Sequence, residues 1–419
     1  MAGILLLSLI GTAGCGKEEE ENVFTPRLDT EASVDLSTVG FFGNFEALDQ
    51  VTADFNEYYP NVTFSYEQTG IDSIEEYIDS NKELDILMTS EDCFDKLGDK
   101  LVDYCADLSK EDINLSDIDE EMLKAGYHDD KLSSIPMGQN IYGVVVNKTL
   151  LENEGLSVPQ AYDEFINALT VLKEKGYTPI QAPNSKVYAE LTGSMVYDML
   201  LDDEDLYKSV TSGDRDGADA LLTVFDRIDD ILEGGFIDKA VNDSYPEDNY
   251  DGAILSFFEG DVPFWVCNTE KVSGMKKRES KSETFTANPF EYTFIDVPLG
   301  DKGAYVYREP WFGFAVNKDS DNYDYAIEFI RFLATRDEIN TMADIKGIPS
   351  VAKVTNDVET YKDVLAPEKK QMECINEGQI SPAIVTNWYS CVNKYAAGEL
   401  GSEEEALGYF VDLCSGQAE

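Results

Sequence analysis

From Val34 to Asn147 short apolar runs alternate with segments of helical spacing, and no other feature narrows the possible folds so far. Val34 to Phe42 reads as a strand, and Glu46 to Tyr59 as a helix stopped by Pro60, whose ring lacks the N–H a helix needs. Val62 to Tyr66 alternates apolar and polar residues as a strand does, Ile71 to Asn81 is a short helix, and Leu84-Asp85-Ile86-Leu87-Met88 reads as a buried strand. Leu132 to Pro136 and Tyr142 to Asn147 are two further strands. Strands that alternate with helices lie side by side in a largely parallel sheet covered by those helices, so an α/β unit is expected. Helical spacing at 162–175, 187–201, 217–232 and 251–259 follows, with strands at 262–266, 292–298 and 311–317 and an amphipathic helix at 323–334. Beyond residue 340 the pattern is all-helical. A chain of 419 residues is about twice what one core supports, and it has neither an internal repeat nor a long internal linker. Two interleaved lobes fit that description.

Charge removes several classes of function. Asp and Glu number 83 against 32 Lys and Arg, a formal charge of −51. Such a field repels nucleic-acid phosphates and offers no basic groove, so no nucleic-acid partner is expected. It also opposes adsorption to anionic headgroups unless something else holds the chain there. No P-loop or phosphate-binding glycine fingerprint is present, and one histidine, His128 in a polar turn, leaves no Ser-His-Asp arrangement. Without CxxC pairs a zinc site has no support, and Asp214-Arg215-Asp216-Gly217 is only half a calcium loop, better suited to starting a helix. Neither cofactor nor metal is expected. Six cysteines follow Cys15; Cys93/Cys105 and Cys374/Cys391 are conceivable disulfides, and free buried thiols are an equal alternative.

The N-terminus resembles an export signal. Gly3 to Ile10 is an apolar run too short to span a bilayer, and Thr12-Ala13-Gly14-Cys15 resembles a bacterial lipobox. That resemblance implies residues 1–15 as a signal peptide with Cys15 lipidated, holding the protein on the outer face of the bacterial cell membrane. Residues 16–32 then form a charged, flexible tether.

Several motifs in order carry a wider resemblance. Ala53-Asp54-Phe55-Asn56-Glu57-Tyr58-Tyr59-Pro60, Leu84-Asp85-Ile86-Leu87-Met88-Thr89-Ser90 and Tyr142-Gly143-Val144-Val145-Val146-Asn147-Lys148 are followed by Phe258-Glu259-Gly260-Asp261-Val262-Pro263-Phe264. Phe314-Ala315-Val316-Asn317-Lys318 and Asn387-Trp388-Tyr389 complete the series. Together they resemble the extracellular solute-binding proteins typified by maltose-binding protein. The resemblance implies a two-lobed α/β fold of the periplasmic-binding-protein type II class, with the ligand in a cleft that closes between the lobes. It places the N-terminal lobe at 33–138 plus 308–350 and the C-terminal lobe at 139–307 plus 351–415. A monomer that captures a carbohydrate for the transmembrane permease subunits of an ABC importer, with no chemistry of its own, is the expected function. Rival readings are a polyamine or other cation ligand, a secreted carbohydrate-active enzyme, and a sensor partner.

Sugar sites combine aromatic platforms for C–H faces with planar polar groups for hydroxyls, and in open α/β sheets they lie beyond the strand ends. After the first strand come Phe41, Phe42, Asn44 and Glu46; after the third come Ser90, Glu91 and Asp92. The resemblance puts Asp92 where the maltose-binding relative has a sugar-binding carboxylate, and Trp388 where it has a sugar-stacking tryptophan. Gln139 and Asn140 lie at the first crossing between lobes. Trp311, Trp265 and Tyr188 are further candidate platforms, and Asn268 follows the strand where the relative carries an aromatic residue.

Overall fold

The order of strands follows from which runs are apolar on both faces and which on one. In the computed structural model, which describes residues 23–80, 84–182, 186–238, 240, 250–301, 303–355, 361, 364, 371–373 and 380–417, β1 (Val34–Gly40) lies between two parallel neighbours. They are β2 (Val62–Gln68) and β3 (Ile86–Thr89), with Val34 opposite Val62 and Thr38 opposite Ile86. Helix α1 (Glu46–Phe55) connects the first two and buries Ala47, Leu48, Val51 and Phe55, an apolar stripe at helical spacing. It ends earlier than Pro60 alone suggests. Tyr59 has left the helix to bury its ring and donate its hydroxyl to Glu328 at 2.6 Å. Helix α2 (Ile74–Ser80) leads to β3, where Asp85 inside the apolar run is satisfied by the Ser37 backbone N–H at 2.8 Å and the Ser37 hydroxyl at 3.0 Å.

Two long strands depart from expectation. The runs near 132–136 and 142–147 are not separate strands of a parallel sheet. A small hairpin, β4 (Tyr127–His128) and β5 (Lys131–Leu132), turns through Asp129 and Asp130 at positive φ, and then β6 runs unbroken from Ile135 to Asn147. After β7 (Ile180–Gln181), β8 (Phe264–Asn268), β9 (Tyr292–Ile295) and β10 (Val297–Gly300), strand β11 runs from Gly303 to Val316, beginning well before residue 311. The hydrogen-bonded order is β2-β1-β3-β11-β6-β8-β7; β9 pairs with β6, and β10 pairs with β11. A short strand, β12 (Gln371–Glu373), also pairs with β11, so the segment beyond residue 340 is not purely helical. Two glycines let β6 lie close to its neighbours: a Cβ at Gly143 would lie 2.3 Å from the Ile295 carbonyl of β9, and one at Gly313 of β11 2.6 Å from that of Ile135.

The buried side chains fall on either side of this crossing. One set runs from Phe24 to Met137 and from Phe312 to Ala352, with Val39, Leu87, Cys93 and Cys105 packed beside it. The other draws on residues 141–299, on Val306 and Tyr307, and on 380–411. Only β6 and β11 contribute long runs to both. Helices Val187–Asp202, Leu222–Gly234, Pro382–Ala396 and Glu403–Cys414 close the second core. Asp214 accepts from the Gly217 N–H at 3.2 Å at the start of a short 3-10 helix, a local turn and not a metal loop. Among the described residues no group of His, Cys, Asp and Glu is arranged to hold a metal, and no helix is long and apolar enough to cross a membrane. Cys93 and Cys105 are separate buried thiols, which removes that disulfide; Cys374, Cys15 and the rest of the export segment and the start of the tether lie outside the described residues.

Candidate functional site

Side chains alternate in direction along a strand, so the crossing of β6 and β11 presents every second residue to one face. Tyr142 stands opposite Tyr307, and Asn140 opposite Glu309. The two tyrosine rings stack at 5.0 Å between centroids. Their hydroxyls donate to the two oxygens of Glu309, Tyr142 at 2.9 Å and Tyr307 at 3.0 Å. Trp311, two residues further along β11, continues the same face after Glu309. Residues between them serve structure: the Gln139 amide donates to the Ser350 carbonyl at 2.6 Å, and buried Arg308 approaches Asp119 at 3.5 Å.

This face is the floor of a cavity of 370 Å³. One wall is Ser90 at the end of β3 with Glu91, Asp92 and Asp95 from the first turns of α3 (Glu91–Leu97). The facing wall holds Asn268 at the end of β8 and Glu270 at the start of the next helix. Ile380, Val385 and Thr386, at and before the start of helix Pro382–Ala396, close the far side. A second cavity of 250 Å³ shares Tyr142, Asn268, Tyr307, Glu309 and Val385, and adds Lys186, Glu190, Lys271 and Tyr389. The two are arms of one cleft between the cores. Together they lie within the range of roughly 300–1,000 Å³ that small-molecule sites take.

The first arm is acidic. Burial pushes the Glu309 carboxyl up to about 7 against the lowering effect of its two tyrosine hydrogen bonds, and the charges of Asp92 and Glu91 add to the rise. Burial likewise raises Asp95, with Glu91 and Asp92 reinforcing and His128 opposing. Burial raises the Tyr142 hydroxyl well above its usual range, the neighbouring Glu309 charge adding to it, so it stays a hydrogen-bond donor. Such a site can grip hydroxyls and apolar ring faces.

Of the residues singled out from sequence, Ser90, Glu91, Asp92, Asn140, Asn268 and Trp311 are brought together around the first arm. The others lie elsewhere. Trp388 is fully buried between Phe225 and Phe410, its indole N–H donating to the Thr192 hydroxyl at 3.1 Å, so no face is left for a ligand. Trp265 is core beside Phe257, and Gln139 is buried in the bond to Ser350. Phe41 and Phe42 are half-buried outside the cavity, Phe42 edge-on to Phe45, Trp311 and Phe312. Asn44 and Glu46 bond each other at 3.2 Å on the surface, and Tyr188 packs against the second core. Sequence reasoning missed Asp95, Tyr142, Glu270, Tyr307 and Glu309. Its available signal was the alternation Tyr307-Arg308-Glu309-Pro310-Trp311.

Residues 50–368 match the family described as bacterial extracellular solute-binding protein. No curated protein is significantly similar to this chain in sequence. Among solved structures, maltose-bound MalE3 of T. maritima aligns at 15% identity over 92% of this chain and 100% of its own, with a TM-score of 0.67. Apo RafE of Streptococcus pneumoniae aligns at 14% over 94% and 100%, with a TM-score of 0.64. The cyclic α-maltosyl-1,6-maltose binding protein of Arthrobacter globiformis aligns at 17% over 92% and 99%, also at 0.64. The two-lobed α/β type II fold expected from the motifs is the fold these proteins share with this chain.

Proposed function

Because the chain belongs to the bacterial extracellular solute-binding proteins, we propose that it captures a carbohydrate and presents it to the permease of an ABC importer. The observation that carries this reading is the floor of the cleft. Aromatic rings of Tyr142, which the buried Tyr307 backs, and of Trp311 offer faces for sugar C–H groups, and Glu309, Asn140 and Asn268 sit beside them to bond hydroxyls. The ligands of similarly folded proteins are in keeping with it, maltose for MalE3 and raffinose for RafE.

The lobes would be 33–138 plus 308–350 and 139–307 plus 351–415, a division supported by the separate cores and by the few long strands between them. Closure would bend β6 and β11 and bring the α3 wall onto the wall of Asn268 and Glu270, driven by contacts made only when closed. Ser90, Glu91, Asp92, Asp95, Asn140, Tyr142, Asn268, Tyr307, Glu309 and Trp311 would hold the ligand. The protein would act as a monomer, held by lipidated Cys15 at the outer face of the cell membrane within reach of the permease.

A panel of mono- and oligosaccharides tested by thermal shift and calorimetry decides the matter. A ligand that binds only the folded state raises the melting temperature by mass action. A sugar that binds with a dissociation constant near about 1 μM, roughly −8 kcal/mol, is the expected result. A shift only with non-carbohydrate solutes rejects it.

A further inference from the structure

The charge in the first arm exceeds what a neutral sugar requires. Glu91, Asp92, Asp95, Glu270 and Glu309 all line it, and among the described residues no Lys or Arg does. Among the described residues Glu270 has Lys271 at 3.2 Å, which lines the other arm, and Glu91 has the His128 ring at 3.9 Å; Asp92 and Glu309 have no Lys or Arg in an ion pair. A neutral hydroxyl is served by one carboxylate oxygen. Each further ionised carboxylate enclosed by a closing cleft loses water without gaining an opposite charge, at a cost of several kcal/mol by general experience of buried ions.

A second observation lies behind the α3 wall. His128 is buried, stacks on Phe94 at 3.5 Å, and neither ring nitrogen makes a hydrogen bond. Its Nε2 lies 3.9 Å from a Glu91 oxygen, too far to satisfy it. This ring stands behind the wall beside Glu91 and outside the cavity lining, so the carboxylates that face the cavity from Asp92 to Glu309 are left for something else to answer. The rings argue against a bare polyamine as that something. Tyr142, backed by the buried Tyr307 stacked on it, and Trp311 line the cavity, and such rings take the flat faces of pyranose rings and also attract cations by their π-electrons.

Resting on the carbohydrate reading above, we propose that the ligand is an amine-bearing carbohydrate. Its ammonium group sits between the first turns of α3 and Glu309, and its ring faces lie on Trp311 and the tyrosine pair. Hydroxyls elsewhere on the sugar take Asn140, Asn268 and Ser90. The second arm, with Lys186 and Lys271 beside Glu190, receives the neutral part of the molecule.

The test is calorimetry of the whole protein with matched pairs that differ by one group: glucosamine and glucose, galactosamine and galactose, and chitosan and cellulose oligomers of equal length. The amine member is expected to bind at least about tenfold more tightly at neutral pH. That advantage should shrink when salt rises from about 0.05 to about 0.5 M, as a charge contact does. It should vanish in the double variant Asp92→Asn, Asp95→Asn, whose melting temperature without ligand should not fall, since the change relieves repulsion. Neutral members binding as tightly as their amines overturn the proposal while the carbohydrate reading stands. If no sugar of either kind binds and spermidine does, both are overturned.

Discussion

Trp388 and Trp311 are the same side chain in opposite surroundings. Trp388 sits among Phe225, Phe410 and Thr192 with its one polar atom bonded and no surface left over. Trp311 is half-buried, edge-on to Phe42 and Phe312 with the Lys346 ammonium 4.9 Å from its ring, and still faces the cleft. The first region is finished when the chain folds. The second keeps half-buried rings and a group of carboxylates around an open cavity. Trp388 is therefore expected to carry stability and Trp311 ligand binding, and substitution should separate them.

The sharpest way to break that comparison is Trp388→Ala. Removing a fully enclosed aromatic side chain from a close-packed core should cost about 3–5 kcal/mol of stability, read from urea unfolding. A variant as stable as the parent would mean that Trp388 is not core. Trp311→Ala should cost less, about 1–3 kcal/mol of stability, since the ring is only partly buried. Its expected effect is on affinity, a loss of about tenfold or more by calorimetry. Unchanged affinity would remove Trp311 from the site.

A smaller effect sharpens the comparison through pH. Burial is the largest cause holding Glu309 and Glu403 up to about 7 and Glu338 up to about 8. A carboxyl raised in this way keeps its proton longer in the folded chain than in the unfolded one. The unfolded state then binds fewer protons, so stability should fall as pH climbs from the ordinary value of 4.5 through 7 and 8. Growing self-repulsion of a strongly acidic chain works in the same direction. Melting temperatures across this window should decline, and Glu309→Gln should flatten the slope. An identical slope in that variant would show that the cleft carboxyl does not carry the effect.

Legibility from sequence followed the same division. Strands β1 to β3 and helix α1 were readable because their apolar spacing is unbroken and each turn is marked by Pro60 or a polar cluster. The crossing strands were not, because Pro136, Gly138 and Pro310 read as interruptions. Pro310 is tolerated where the ladder between β11 and β6 shifts register, so no hydrogen bond of a regular ladder is lost there. Hiding the first half of β11 hid Tyr307 and Glu309 with it, and Tyr142, read only as the start of a strand, lost the partner that it faces. Trp388 was misread for another reason. Likeness to a relative put it at a ligand, yet Ile384, Trp388, Cys391 and Val392 repeat at helical spacing and are all buried, a core stripe the sequence already displayed. Ser90, Glu91, Asp92 and Asn268, which line the cavity, could be placed there from sequence because residues at strand ends need no such pattern to be located.

The unpaired cysteines make the molecule its own clock for breathing. Cys105 lies in the core on the β1 side and Cys391 in the core of the last helices; burial holds each thiol up to about 12. Neither can be alkylated until its surroundings part and a thiolate forms. Modification at Cys105 and at Cys391 therefore times the opening of each half separately, on the unlabelled native chain. If ligand slows one far more than the other, that half is the one whose internal motion the ligand restrains.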